Sequence, residues 1–94
     1  MKTGIELIAD ERVEQIKKHG RTIEKDREFN TDNQLSTAAC VLCYSEIEDI
    51  DQRNEPPTNW NLEAWHKMHD KPYKERLVIA GALIAAELDR INKQ

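Results

Sequence analysis

Leu77-Val78-Ile79-Ala80-Gly81-Ala82-Leu83-Ile84-Ala85-Ala86 is a run of ten residues without a polar side chain. Helical spacing of polar and apolar residues resumes at once in Glu87, Leu88, Asp89, Arg90 and Ile91, so the run reads as part of a helix. A helix that is apolar on every side must be surrounded by protein or by lipid. Crossing a bilayer takes ~20 such residues, and this run is too short. The segment is therefore expected to be the central helix of a small soluble bundle, shielded all round by its own fold or by a second copy of the chain.

The rest of the chain agrees with a helical fold. Ninety-four residues suit one domain, 1–94. Hydrophobic residues at 38%, charged residues at 34%, three Gly and three Pro favour helices over a turn-rich β fold. The expected architecture is an all-α bundle of three main helices plus a short one, at about 4–19, 33–51, 61–68 and 72–92, with the C-terminal helix central. In the first helix Ile5, Ile8, Ala9, Val13 and Ile16 form one apolar stripe, expected to face the core. Thr3 with Glu6 makes a capping box, and Gly20 supplies a left-handed end. Residues 21 to 31 read as a charged connection pinned by Ile23 and Phe29. The second helix is capped by Thr31 or Asp32 and buries Leu35, Ala38, Ala39, Leu42 and Cys43. Pro56 and Pro57 interrupt helix. Asn59 or Asn61 starts the short helix and Asp70 the last one. Gly81, at a helix-propensity cost of ~1 kcal/mol, marks a close helix crossing.

Charge narrows the function classes. The net charge is −4, from 14 basic and 18 acidic residues that are interspersed. No Lys/Arg cluster forms the footprint of a phosphate-backbone binder, so no nucleic-acid partner is expected. No membrane partner is expected either. Glu6, Asp10, Glu11 and Arg12 break up any apolar leader. The expected location is cytoplasmic, with Cys40 and Cys43 as thiols.

Four groupings bear on chemistry. Cys40-x-x-Cys43 and His66-x-x-His69 have the donors and spacing of a zinc site. The plainer reading makes the cysteines small hydrophobes on the apolar side of their helix and leaves the histidines solvated, with no metal. Glu46, Glu48 and Asp49, with Glu87 and Asp89, offer hard oxygen ligands for Mg²⁺. Otherwise they are a solvated acidic face. Trp60 and Trp65 are placed to cover one end of the bundle or to stack a ligand. Glu11 and Gln15, one turn apart, are placed to orient a polar loop at Asp26 or at Gln34. The candidate polar or ligand cluster is thus Glu11, Gln15, Asp26, Gln34, Trp60 and Trp65, with no catalytic residue assigned and no cofactor.

The segments Ile5-Glu6-Leu7-Ile8-Ala9-Asp10-Glu11-Arg12, Gln15-Ile16, Asp32-Asn33-Gln34-Leu35-Ser36-Thr37-Ala38-Ala39 and Ala80-Gly81-Ala82-Leu83-Ile84-Ala85-Ala86-Glu87-Leu88-Asp89-Arg90 resemble a family of small phage and prophage proteins of unassigned activity. Trp60, Trp65 and Lys67 extend the resemblance, which spans nearly the whole chain. Family members usually carry Trp after the glycine and a His-Asp-Asp run in the loop. Here Arg21 follows Gly20, and only Asp26 of that run is present, between Lys25 and Arg27. A second, distant likeness is to the MazG-like nucleoside triphosphate pyrophosphohydrolases, all-α enzymes that hold Mg²⁺ with Glu-Glu-x-x-Glu on one helix and Glu-x-x-Asp on another. Glu46 and Asp49 supply one Glu-x-x-Asp, and the other motif is missing.

The resulting expectation is an accessory protein of phage or prophage type, a helical interaction or self-association module. It forms a homo-oligomer, as a dimer, or binds a host or phage protein. The alternative is a Mg²⁺-dependent hydrolase of the MazG-like type.

Overall fold

The computed structural model describes residues 1–20, 22–44 and 53–92. Among these there are five helices and no strand: α1 Gly4–His19, α2 Ile23–Phe29, α3 Gln34–Leu42, α4 Leu62–His69 and α5 Tyr73–Asn92. Helix α5 is the hub, packing against each of the other four.

Local chemistry explains most of the boundaries. Thr3 accepts from the Glu6 N–H while the Glu6 carboxylate takes the Thr3 N–H. That closes both ends of a capping box. Gly20, at φ 65°, ends α1 in the left-handed conformation that favours glycine. Asn61 caps α4 by accepting from the Ala64 N–H.

Three boundaries differ from expectation. Residues 23–29 are helical, not a connection, because the Thr22 side chain caps Lys25 N–H and supplies a start. Helix α3 is led by Asn33, at φ 64° and without a side-chain cap, rather than by Thr31 or Asp32. It stops at Leu42. The expected course to residue 51 fails first at Cys43, and residues 45–52 lie outside the described residues. The early stop has a cause. The Arg76 guanidinium donates to the carbonyls of Leu42 and Tyr44, and its Nε to that of Lys71. It thereby satisfies acceptors that a helix end leaves orphaned. Asp70 does not cap α5. It ends α4 and holds Arg53 through two bonds of 2.8 Å.

The core lies between α3, α4 and α5. Leu35, Ala38, Ala39 and Leu42 of α3 meet Ala80, Leu83 and Ala86 of α5, with Trp65 of α4 closing one end. Each fully buried leucine contributes ~1.5–3 kcal/mol by leaving water, and the alanines let the helices approach. Cys40 and Cys43 fall off this stripe and are exposed, not small core hydrophobes as expected.

Helix α1 is inverted relative to its apolar stripe. Its two buried residues are Arg12 and Gln15, whereas Ile5, Val13 and Ile16 are 83%, 48% and 37% exposed. Only Ile8 of the stripe turns toward α5, where a Cβ on Gly81 would lie 2.5 Å from the Ile8 Cδ1. That is the close crossing Gly81 foretold. On one side of this crossing Glu11 and Gln15 share a cleft with Ile79.

The apolar run of α5 is accordingly not shielded on all sides within one chain. Ala80, Ala82, Leu83 and Ala86 are buried, but Leu77 is 39% and Ile84 47% exposed. Leu88 and Ile91 continue the same open flank. No helix among the described residues is long and apolar enough to cross a membrane.

Candidate functional site

Arg12 and Asp26 occupy the middle of a polar layer where an apolar contact was expected. Asp26 is 1% exposed, although Ile23 and Phe29 were the expected pins of this segment; Phe29 is half exposed. The Arg12 Nη2 lies 3.9 Å from the Asp26 Oδ2 and 3.7 Å from the Asp89 Oδ2, so one guanidinium from α1 faces carboxylates of α2 and α5. The Asn30 amide donates to Asp26 Oδ1 at 2.7 Å, and the Trp60 indole N–H donates to Asn30 Oδ1 at 2.8 Å. An indole, an amide, a carboxylate and a guanidinium are thus linked across three segments of chain. In a low-dielectric interior such a chain specifies one arrangement, and removal of any member strands its neighbours.

The six residues singled out in the sequence separate into four places. Asp26 and Trp60 line a cleft of about 250 Å³ with His19, Lys25 and Phe29. Glu11 and Gln15 line a second cleft of about 440 Å³ with Lys67, Met68 and Ile79. The two clefts share His19, Asn61 and Ala64 as a common wall. Trp65 is core, 1% exposed, and also borders a third cleft beside Pro56 and Pro57. Its ring meets Trp60 edge-on, at 6.2 Å and 74°. Gln34 belongs to none of these clefts. It donates to the carbonyls of Phe29 and Thr58 and accepts from the Asp32 N–H, tying two loops to the start of α3.

Glu11 and Gln15 were expected to orient the loop at Asp26 or Gln34. Gln15 does neither. It is 2% exposed, and among the described residues its amide nitrogen and oxygen have no hydrogen-bond partner. A buried polar group left unpaired costs about 1–3 kcal/mol.

No family model, curated protein or solved structure matches the chain. The geometry must therefore carry the functional reading alone.

Among the described residues no three His, Cys, Asp or Glu side chains are grouped to hold a metal. Of the acidic residues behind the Mg²⁺ reading, Glu87 is bonded to Arg90 and Asp89 faces Arg12; Glu46, Glu48 and Asp49 lie outside the described residues. His69, expected in solvent, is 6% exposed and packs on the Trp65 ring at 5.9 Å. His66 is half-buried. Of the exposed cysteines Cys40 sits on α3 and Cys43 just past its end, and His66 and His69 sit on α4.

Burial lowers the His69 pKa, against the opposing pull of Asp70, while the Arg53 fork holds Asp70 down to about 2. A histidine depressed in the fold takes up its proton more readily when unfolded. Stability is therefore fully present above the unfolded value of 6.5 and declines as pH falls below it. Urea midpoints between pH 8 and pH 5 are expected to drop on the acid side, and His69→Phe is expected to flatten that slope. An equal slope in both proteins refutes the assignment.

Sequence inspection missed Arg12, Asn30 and Arg76, and read His69 only as a zinc ligand or a solvated side chain. A signal existed for the first: Ile8, Arg12 and Gln15 share one helical face at spacings of four and three. Weighting hydrophobicity alone selected the neighbouring face.

Proposed function

We propose that the chain is a helical self-association module whose pairing surface is the open flank of α1 and α5. One observation carries this reading: Ile5, Val13, Ile16, Leu77, Ile84, Leu88 and Ile91 are each more than a third exposed. Leu77, Ile84, Leu88 and Ile91 share one face of α5 by the helical repeat. Scattered single hydrophobes are ordinary on a protein surface, whereas a contiguous stripe marks an interaction site.

The spacing favours a second copy as the occupant. Leu77, Ile84, Leu88 and Ile91 recur at steps of seven, four and three, the period that keeps one seam facing a partner helix. A two-fold pairing sets the same stripe of each copy against the other. It stacks two α1–α5 layers into a four-helix arrangement. The pairing also covers Leu77 and Ile84, the two members of the apolar run of α5 that the single chain leaves most exposed. A phage or prophage accessory role is compatible with such a module, and a host or phage protein is the competing occupant.

Sedimentation equilibrium at high micromolar concentration is the test. A dimer is expected. The double variant Ile84→Asp/Leu88→Asp is expected to weaken association by at least ~100-fold, since each lost apolar anchor is worth ~1.5 kcal/mol or more. Far-ultraviolet circular dichroism is expected to show unchanged helicity. A wild-type chain that stays monomeric there overturns the reading.

A further inference from the structure

Cys40 and Cys43 are both exposed, and neither the core nor the pairing surface on α1 and α5 uses them. They stand three residues apart at the end of α3, which finishes in a tightened turn. The Cys43 N–H donates to the carbonyl of Ala39 at 3.1 Å and also to that of Cys40 at 3.3 Å. The second of these bonds is the closure of a 3₁₀ turn, in which side chains at i and i+3 stand one above the other. Helical geometry puts the two Cα atoms about 5–6 Å apart, inside the ~4.4–6.8 Å that disulfides span. The turn is also held from outside. Arg76 of α5 donates to the carbonyls of Leu42 and Tyr44, the residues on either side of Cys43.

We infer that Cys40 and Cys43 are a reversible dithiol–disulfide site, closed by exchange with a low-molecular-weight disulfide of the glutathione type. The thiolate of one cysteine attacks a sulfur of that disulfide and expels one glutathione thiolate, leaving a mixed disulfide. The second cysteine gives up its proton and attacks the protein sulfur of the mixed disulfide, which expels the second glutathione. The protein loses two hydrogens with their electrons, and glutathione disulfide takes them up as two thiols. Backbone anchored on both sides of Cys43 favours the second attack, because a group already held near its target reacts as if highly concentrated. Exposure gives both steps access from solvent and leaves the closed bond open to reduction.

The test is equilibration of the chain in mixtures of reduced and oxidised glutathione, followed by acid quenching and mass spectrometry, with a parallel series in urea. The expected product of the folded chain is an intrachain disulfide, lighter than the dithiol by two hydrogens. Its equilibrium constant for closure is expected to be at least ~10-fold larger in the folded chain than in urea, and by reciprocity the closed chain is then harder to unfold by the same factor. Cys40→Ser and Cys43→Ser are expected to keep the fold, because both side chains are exposed, and to stop at the mixed disulfide. Three results overturn the inference: mixed disulfides or cross-linked dimers in place of the intrachain bond, a closure constant no larger in the folded chain than in urea, or a closed chain that unfolds more easily than the open one. Self-association is read separately, by sedimentation in reductant, so the two proposals fail independently.

Discussion

Asp26→Ala brings the protein close to unfolding, with an expected loss of ~3–5 kcal/mol. A domain of this length holds about 5–14 kcal/mol in total, so the loss consumes much of it. The size follows from what is left behind. Asp26 is 1% exposed, and its removal strands the Asn30 amide and takes away a carboxylate 3.9 Å from the 8%-exposed Arg12. A buried charge deprived of its counter-charge is far more costly than a pair replaced whole. Arg12→Met/Asp26→Leu is therefore expected to recover most of the stability lost in the single variant. Urea unfolding followed by circular dichroism gives both values. A loss below ~1 kcal/mol for Asp26→Ala, or a double variant no better than the single one, contradicts the role assigned to this pair.

Trp65→Ala is expected to cost a similar ~3–5 kcal/mol, by a different route. Trp65 is the largest fully buried side chain, and it bridges Trp60 on one side and His69 on the other. Truncation opens a cavity between α3, α4 and α5 that alanines on the facing helices are too small to fill. Trp65→Phe retains an aromatic body and is expected to lose less than half as much. Truncation also admits water to His69. Its depressed pKa arises first from burial, so the acid-side decline of stability is expected to shrink in Trp65→Ala. Equal melting temperatures for Trp65→Ala and Trp65→Phe are incompatible with this packing.

Both expectations concern residues that stood out in the sequence, but for reasons the sequence shows only in part. Trp65 was legible as a cap on the core because a large aromatic ring near a helix start has few other uses. Asp26 was legible only as a lone acidic residue between two cations. That it is buried follows from Arg12, fourteen positions away, and from Asn30 one turn on. Neither contact has a local signature. Gln15 is the sharpest case. One turn of helix separates it from Glu11, and that spacing correctly shows a shared region of surface. It does not show that the amide is buried with both of its polar atoms out of reach of solvent.

The sequence alone determined what depends on neighbours within a turn or two: the helical character of α1, α3, α4 and α5, the Thr3–Glu6 box, the Gly20 stop, the Asn61 cap and the small-residue seam that seats α3 on α5. These rest on backbone hydrogen bonding and on side-chain period, which are local quantities. Tertiary structure alone decided which face of α1 turns inward and where α3 ends. The Ile5–Ile16 stripe is the more apolar face, yet Arg12 and Gln15 are the ones buried, because Asp26 and Asp89 wait on the facing helices. Helix α3 halts at Leu42 because Arg76, thirty-four residues on, takes its carbonyl. A charge finds its partner through space, and its helix rotates to meet it.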